Sequence, residues 1–421
     1  MKAASRYHRR MARFQRLLLL ALLLFVAGCA TRPAGVSHPP LLLISIDALR
    51  PSDVDATQMP TLNALAVAGV RAAWMTPSYP SKTFPNHYTL VTGLRPDHHG
   101  MINNTMYDPE LGSFNLQSRE AVQDPRWWTG GEPVWITLQH HGGRAATMFW
   151  PGSEAAIQGQ HPLDWRIYDE SVSANARVDQ VLAWLDRPER TRPQFITLYF
   201  EQVDEAGHKS GPDSAESRAA RKEVDDALAR LLTGLEQRGL RDGINLVVVS
   251  DHGMANITGR EYITDYLQAH GLGLDAIRIT TSGALAGITP KPGQEAAVEA
   301  ALLGRHPHST CWRKQEMPAQ WHYGSHPRIP PIQCQADLGW LLLDRDNGRP
   351  FDGGGAHGYA IEEPTMHATF IASGPAFRDH VALPAFDNVD VYPLLMRLLG
   401  LQPLPNDGDI TPLLPALKTA P

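Results

Sequence analysis

Carboxylates and imidazoles recur in this chain just beyond short apolar runs. Asp47 follows Leu41 to Ile46, Asp204 and His208 follow Phe195 to Phe200, and Asp251 and His252 follow Leu246 to Ser250. Parallel strands deliver such side chains to their C-terminal ends, along one edge of an α/β sheet. His357 joins them from Gly353-Gly354-Gly355-Ala356-His357-Gly358, a glycine-rich turn that lets backbone pass close to a metal. The residue types point to divalent cations. Mixed nitrogen and oxygen ligands suit Zn²⁺ best and also Mn²⁺ or Fe²⁺, whereas an all-oxygen set would suit Mg²⁺ or Ca²⁺. Asp204, His208 and His357 make a three-ligand site with an open position, the catalytic arrangement for zinc. Asp47, Asp251 and His252 supply a second ion. Asp204 and His208 lie four apart and would share a helix face, although Gly207 between them favours a loop.

Paired cations clamp both oxygens of an in-line phosphoryl displacement. The missing part is a nucleophile. Pro80-Ser81-Lys82-Thr83-Phe84-Pro85-Asn86-His87-Tyr88 offers Thr83 just ahead of a proline suited to a helix start, with Ser81 as competitor. A hydroxyl there gains from the helix dipole, and a neighbouring cation lowers its pKa.

The elements that must position these groups alternate between strand and helix. Strands are expected at Leu41 to Ile46, Arg144 to Phe149, Gln194 to Phe200, Asn245 to Ser250 and His367 to Ala372. Helices are expected at Pro60 to Ala68, Pro85 to Val91, Val172 to Leu185 and Ser214 to Gln237. The pattern predicts an α/β fold with a doubly wound central sheet. Residues 273–344 differ, with Ala284 to Ile288, a helical Gln294 to Leu303, an apolar Gly339 to Leu343 and a Pro- and aromatic-rich stretch. They read as a small α+β cap inserted into a catalytic core of residues 41–272 and 345–421.

Residues 1–29 read as an address label. Lys2, Arg6, Arg9, Arg10, Arg13 and Arg16 precede an apolar Leu17 to Ala27 that is too short for a membrane span of about 20 residues. Val26-Ala27-Gly28-Cys29 resembles a bacterial lipobox. Cleavage there leaves Cys29 lipidated, Ala30 directs sorting to the outer membrane, and residues 30–40 form a tether. An ordinary signal peptide is the alternative. Either leader puts the mature protein in the periplasm, where Cys311 and Cys334 are most simply a disulfide. The 22 residues between them make a loop closure worth about 3 kcal/mol. With 38 basic and 44 acidic residues, and a leader whose charges are all basic, the chain lacks the positive stripe of a nucleic-acid binder.

These residues carry a family resemblance. Asp47, the segment Pro80 to Tyr88, Asn103 to Asp108, Phe149 to Glu154, Asp204 with His208, Asp251 to Met254 and His357 occur in order. Together they closely resemble the nucleotide pyrophosphatase/phosphodiesterase family of the alkaline phosphatase superfamily, over Leu41 to Leu399. The resemblance implies two zinc ions, one held by Asp204, His208 and His357, the other by Asp47, Asp251, His252 and the nucleophile Thr83. It implies that Asn104 donates to a phosphoryl oxygen and that Phe84 and Tyr199 sandwich a nucleobase. The expected activity is hydrolysis of phosphodiesters, and of nucleoside triphosphates at the α-phosphorus, through a phosphothreonine. The rivals are a choline-type headgroup phosphodiesterase, a phosphomonoesterase and a non-catalytic zinc- or phosphate-binding lipoprotein. Trp150-Pro151-Gly152-Ser153 lacks the cation that a monoester would need, which favours the diester.

Overall fold

A computed structural model describes residues 38–346, 348 and 353–418. The leader, the lipobox at Cys29 and most of the tether lie outside the described residues.

Hydrophobic runs fix the centre of the fold. Leu41–Ile46 (β1) is buried along its whole length, as a strand covered on both faces must be. Leu41 and Leu43 pack into one apolar cluster, while Leu42, Ile44 and Ile46 pack into another on the opposite face. That alternation is the two-residue period of a strand. Each such side chain stabilises the fold by about 1.5–3 kcal/mol when fully buried.

An eight-stranded sheet is built around β1. Its other strands are Val70–Ala72 (β2), Ala145–Met148 (β3), Asp164–Trp165 (β4), Phe195–Phe200 (β5), Asn245–Val249 (β6), Phe370–Ser373 (β7) and Val381–Leu383 (β8). The order across the sheet is β8-β2-β7-β6-β1-β5-β3-β4. Strand β1 is parallel to both β5 and β6, with Ile46 opposite Phe200 and Ser45 opposite Val249. Two residues beyond that last pair stand Asp47 and Asp251, so the register alone brings two carboxylates side by side.

Helices cover both faces. Pro60–Ala68 (α1), Ala174–Leu185 (α3) and Ala215–Gln237 (α5) lie on one side, where Leu62, Val178 and Leu231 meet Leu42 and Ile44. Thr83–Thr92 (α2) lies on the other with Val391–Leu398. The short helix Gln202–Ser210 (α4) follows β5 directly.

One strand departs from the simple winding expected. β7 runs antiparallel to both of its neighbours. The reason is connectivity. The chain leaves the sheet after β6 at the edge that carries Asp251, and it returns with His357 at that same edge. The next strand must therefore start there and run backwards.

The stretch between β6 and β7 holds a five-stranded antiparallel sheet spanning residues 277–336, with the helix Glu295–Leu302 beside it. Cys311 and Cys334 face each other on adjacent strands and form the expected disulfide. The described residues from Pro39 onwards cluster as one compact unit.

A buried ion pair pins the end of β5. Arg177 on α3 is fully buried and bridges both carboxylate oxygens of Glu201, while also donating to Tyr199 O at 2.9 Å and Val172 O at 2.8 Å. Removing one partner of such a pair strands the other charge. Arg177→Met is expected to lower stability by about 3–5 kcal/mol in urea denaturation, with part of the loss restored by adding Glu201→Gln. A single substitution costing under about 1 kcal/mol would mean that this pair does not hold the strand end.

Candidate metal centre and nucleophile

Three carboxylates meet where the central strands end. Asp47 is 1% exposed and accepts from the Tyr199 hydroxyl through Oδ2 at 2.6 Å; its Oδ1 has no hydrogen-bond partner. Asp251 is fully buried and accepts from Ala48 N through Oδ1 at 3.2 Å, leaving Oδ2 bare. Asp204 likewise keeps Oδ1 unpartnered. Buried polar atoms are almost always paired, so three bare anionic oxygens in one place need a physical reason.

Imidazole nitrogens face them. His252 Nε2 lies 2.9 Å from Asp251 Oδ2 and 3.6 Å from Asp47 Oδ1. His208 Nε2 is 3.5 Å and His357 Nε2 3.8 Å from Asp204 Oδ1. The rings of His252 and His357 stack with centroids 3.7 Å apart, which places His252 between the two groups. In each of these three histidines Nδ1 meets a backbone carbonyl. The partners are Gly355 O for His208, Gly253 O for His252 and Ser81 O for His357, at 2.8–2.9 Å. A carbonyl only accepts, so Nδ1 carries the proton and Nε2 presents its lone pair. This is how protein backbone orients a metal-ligating histidine.

Asp204 and His208 share α4, and the loop expected around Gly207 is a helix. A Cβ on Gly207 would lie 2.4 Å from Met254 Sδ, and one on Gly355 2.6 Å from both Gly207 O and that sulfur. Glycine stands there for close approach, which draws α4 against the His357 turn.

Thr83 occupies the first position of α2, with Oγ1 3.3 Å from His252 Nε2. Its oxygen therefore lies beside the histidine ring that stacks on His357. Ser81 is fully buried, donates to Tyr359 O at 2.9 Å and accepts from Gly358 N at 3.2 Å. Its hydroxyl is committed to backbone, which removes the competing nucleophile. Asn104 accepts Phe84 N–H through Oδ1 at 2.9 Å, so its amide N–H groups remain for another acceptor.

The two aromatic residues named from the sequence have different surroundings. Phe84 is half-buried against Phe114 and Trp128. Tyr199 is 8% exposed, its ring meets His87 and Tyr168, and its hydroxyl is spent on Asp47. Because β5 lies directly beside β1, the Tyr199 hydroxyl supports a carboxylate.

Two residues beside the nucleophile escape sequence reasoning. Lys82 donates through Nζ to His357 O at 2.8 Å, and burial brings its ammonium down to about 8 although Asp204 opposes that. His87 is fully buried beneath Thr83. Both stand in the segment Pro80 to Tyr88, where the hydroxyls alone announce chemistry.

The electrostatics reveal what the centre lacks. Burial, reinforced by Asp251 and Asp204, holds the Asp47 carboxyl well above its usual range. Burial and Asp204 push Asp251 from 3.8 to about 8. Burial drives His252 and His357 down, so their imidazoles stay neutral. Cations among these groups reverse the carboxylate shifts and use the free lone pairs. Asp204 with His208 and His357, and Asp47 with Asp251 and His252, are donor sets that fit divalent ions. Among the described residues two clusters close enough for a shared ion are Asp204–His252–His357 and Asp47–His87–Asp251. His87 does not qualify as a ligand, because Nδ1 is engaged by Thr83 O and Nε2 by Ser45 Oγ, each at 2.8 Å.

Sequence and fold both match known phosphodiesterases. The family model described as type I phosphodiesterase / nucleotide pyrophosphatase matches residues 41–360. Ectonucleotide pyrophosphatase/phosphodiesterase family member 3 of Rattus norvegicus is 38% identical over 384 residues, covering 89% of this chain and 44% of that protein. A venom phosphodiesterase of Macrovipera lebetinus is 36% identical over 403 residues, covering 91% and 46%. The chain thus spans about half the length of the curated relatives it matches. Among solved structures, murine ectonucleotide pyrophosphatase / phosphodiesterase 5, in an inactive threonine-to-alanine form in complex with AMP, superposes with a TM-score of 0.84. It is 33% identical, with 90% of this chain and 100% of that one covered. The human protein gives the same score at 33% identity.

The shifts set a pH signature for metal-stripped protein. Carboxyl pKa values raised in the fold stabilise it at low pH, and that stability is lost as pH rises towards about 8, the folded value of Asp251. The depressed histidines act oppositely, but only below their ordinary value of 6.5. Between about pH 6.5 and 8 the carboxylates dominate, opposed only towards the upper end by Lys82, which burial brings down to about 8. Chelator-treated protein is therefore expected to lose Tm steadily across that window, while zinc-reloaded protein does not. A flat Tm for the stripped protein would contradict this charge pattern.

Proposed function

The chain belongs to the type I phosphodiesterase / nucleotide pyrophosphatase family, a metal-dependent family of the alkaline phosphatase superfamily, and from that premise we propose that it is a two-zinc hydrolase of phosphodiesters. Its substrates include nucleoside triphosphates, cleaved at the α-phosphorus. One observation carries this reading. Thr83 Oγ1 lies 3.3 Å from His252, the ring that stacks on His357, among carboxylates that each keep one oxygen without a hydrogen-bond partner.

One zinc would be held by Asp204, His208 and His357, the other by Asp47, Asp251, His252 and Thr83. When bound, the ions supply Lewis-acid neutralisation of the attacking and leaving oxygens. The chain's own groups do the rest. Helix α2 presents Thr83 Oγ1 towards the phosphorus, in line with the leaving oxygen. The amide of Asn104, with its carbonyl end anchored on Phe84 N, donates to a non-bridging oxygen as negative charge builds there. Attack forms the Thr83 Oγ1–phosphorus bond and breaks the bond to the leaving group, which departs as alcohol or pyrophosphate. Water then cleaves the phosphothreonine and restores the hydroxyl.

Two features of one relative support this reading: the murine protein is seen in complex with AMP, in keeping with a nucleotide substrate, and its threonine-to-alanine form is inactive, in keeping with a threonine nucleophile. Thr83→Ala is expected to lower kcat on a chromogenic nitrophenyl phosphodiester by about ten-thousand-fold, with zinc content by atomic emission unchanged. A variant retaining near-native kcat would remove Thr83 from its role. Parallel rates on a diester, a monoester and ATP separate the nucleotide enzyme from a headgroup diesterase and from a monoesterase.

We further propose that Cys29 is lipidated and that the protein resides in the periplasm, anchored at the outer membrane of a bacterial cell envelope. No helix among the described residues is long and apolar enough to cross a membrane. Cys29→Ser is expected to move the protein from the membrane fraction to the soluble periplasmic fraction; an unchanged distribution would refute the anchor.

A further inference from the structure

His87 lies at the middle of the centre yet serves neither donor set. It is fully buried, one helical turn beyond Thr83 on α2. Its Nδ1 meets Thr83 O at 2.8 Å, and because a carbonyl only accepts, that nitrogen carries the proton. Nε2 is therefore the acceptor and takes the Ser45 hydroxyl at 2.8 Å. Ser45 stands on β1, two residues before Asp47. The same Nδ1 lies 3.5 Å from Asp251 Oδ2, one of the bare carboxylate oxygens.

Aromatic packing fixes the ring. Trp150 and Tyr199 meet it edge-on, with centroids at 4.9 and 5.2 Å and interplanar angles of 78° and 84°. Trp150 Nε1 donates to His87 O at 3.1 Å. Tyr199 is also the residue that holds Asp47. The imidazole thus joins four segments: the nucleophile turn, the strand ending in Asp47, the strand ending in Asp251, and the strand end bearing Tyr199. Both nitrogens are used, so although Asp47, His87 and Asp251 place three donor atoms within 4.8 Å of one another, His87 has no lone pair for a cation.

We propose that His87 is a positioning residue that sets Thr83 Oγ1 in register with the Asp47 and Asp251 carboxylates. This rests on the assignment of Thr83 as nucleophile. The effect belongs in kcat, because the ring is fully buried and out of reach of a substrate. Groups that orient metal ligands typically contribute 10–100-fold in activity or metal affinity.

The test uses two replacements at the same site. In His87→Asn the amide nitrogen stands near the position of Nδ1 and keeps a donor for Thr83 O, whereas His87→Phe fills the space with no donor at all. On a nitrophenyl phosphodiester, His87→Phe is expected to lose about 10–100-fold in kcat with KM changed less than about threefold, and His87→Asn to recover most of that loss. Titration of the stripped protein with Zn²⁺ is expected to show one of two sites weakened about tenfold in His87→Phe. Should His87→Phe fail to fold, Ser45→Ala frees the other ring nitrogen and is expected to lower kcat several-fold at constant KM. Folded His87→Phe with kcat within about twofold of wild type, equal losses in the two His87 variants, or an unchanged kcat in Ser45→Ala would each overturn the proposal. Thr83→Ala run alongside separates the two readings. If that variant turns over, the nucleophile assignment has failed; if it is inert, a native His87→Phe rate counts against His87 alone.

Discussion

Everything at this centre follows from gathering three carboxylates into one place with almost no water. Asp47 and Asp251 are buried to within 1% of fully, and each keeps one oxygen that no protein donor satisfies. Desolvated anions side by side are unfavourable by several kcal/mol, and neutral imidazoles that turn lone pairs towards them do not relieve it. Only positive charge does. The fold therefore carries a standing demand for cations at the spot where a threonine oxygen waits.

The architecture meets that demand with ordinary devices. Parallel register places Asp47 beside Asp251 without help from any loop. A helix directly after β5 turns Asp204 and His208 onto the same edge, and missing Cβ atoms at Gly207 and Gly355 let the His357 turn close in. Backbone carbonyls hold the proton on Nδ1 of His208, His252 and His357. The two donor sets differ in exposure, since the His208 side chain is 44% exposed whereas His252 is sealed. The His208 set is thus the more open to solvent, and the sealed inner set is the one that lies against Thr83 and its buried neighbours.

Much of this is legible in the sequence. Apolar runs announce β1, β5 and β6, and the acid or imidazole after each announces the edge where they end. Cys311 and Cys334 are readable from compartment and number alone. What fails shares one cause: roles set by neighbours distant in the chain. Gly207 reads as a helix breaker until Met254 is seen against it. Tyr199 reads as a stacking aromatic until β1 puts Asp47 under its hydroxyl. The reversed direction of β7 depends on where the inserted sheet returns the chain, which no local pattern encodes. His87 and Lys82 stand in a segment already marked by its hydroxyls, but a side chain that bonds backbone leaves no spacing to detect.

The most direct measurement is anomalous diffraction at the zinc edge, on crystals of protein purified without added metal. Two peaks are predicted on either side of Thr83 Oγ1, one among Asp204, His208 and His357 and one among Asp47, Asp251 and His252. No peak, or a single peak remote from that oxygen, would contradict the account at its root.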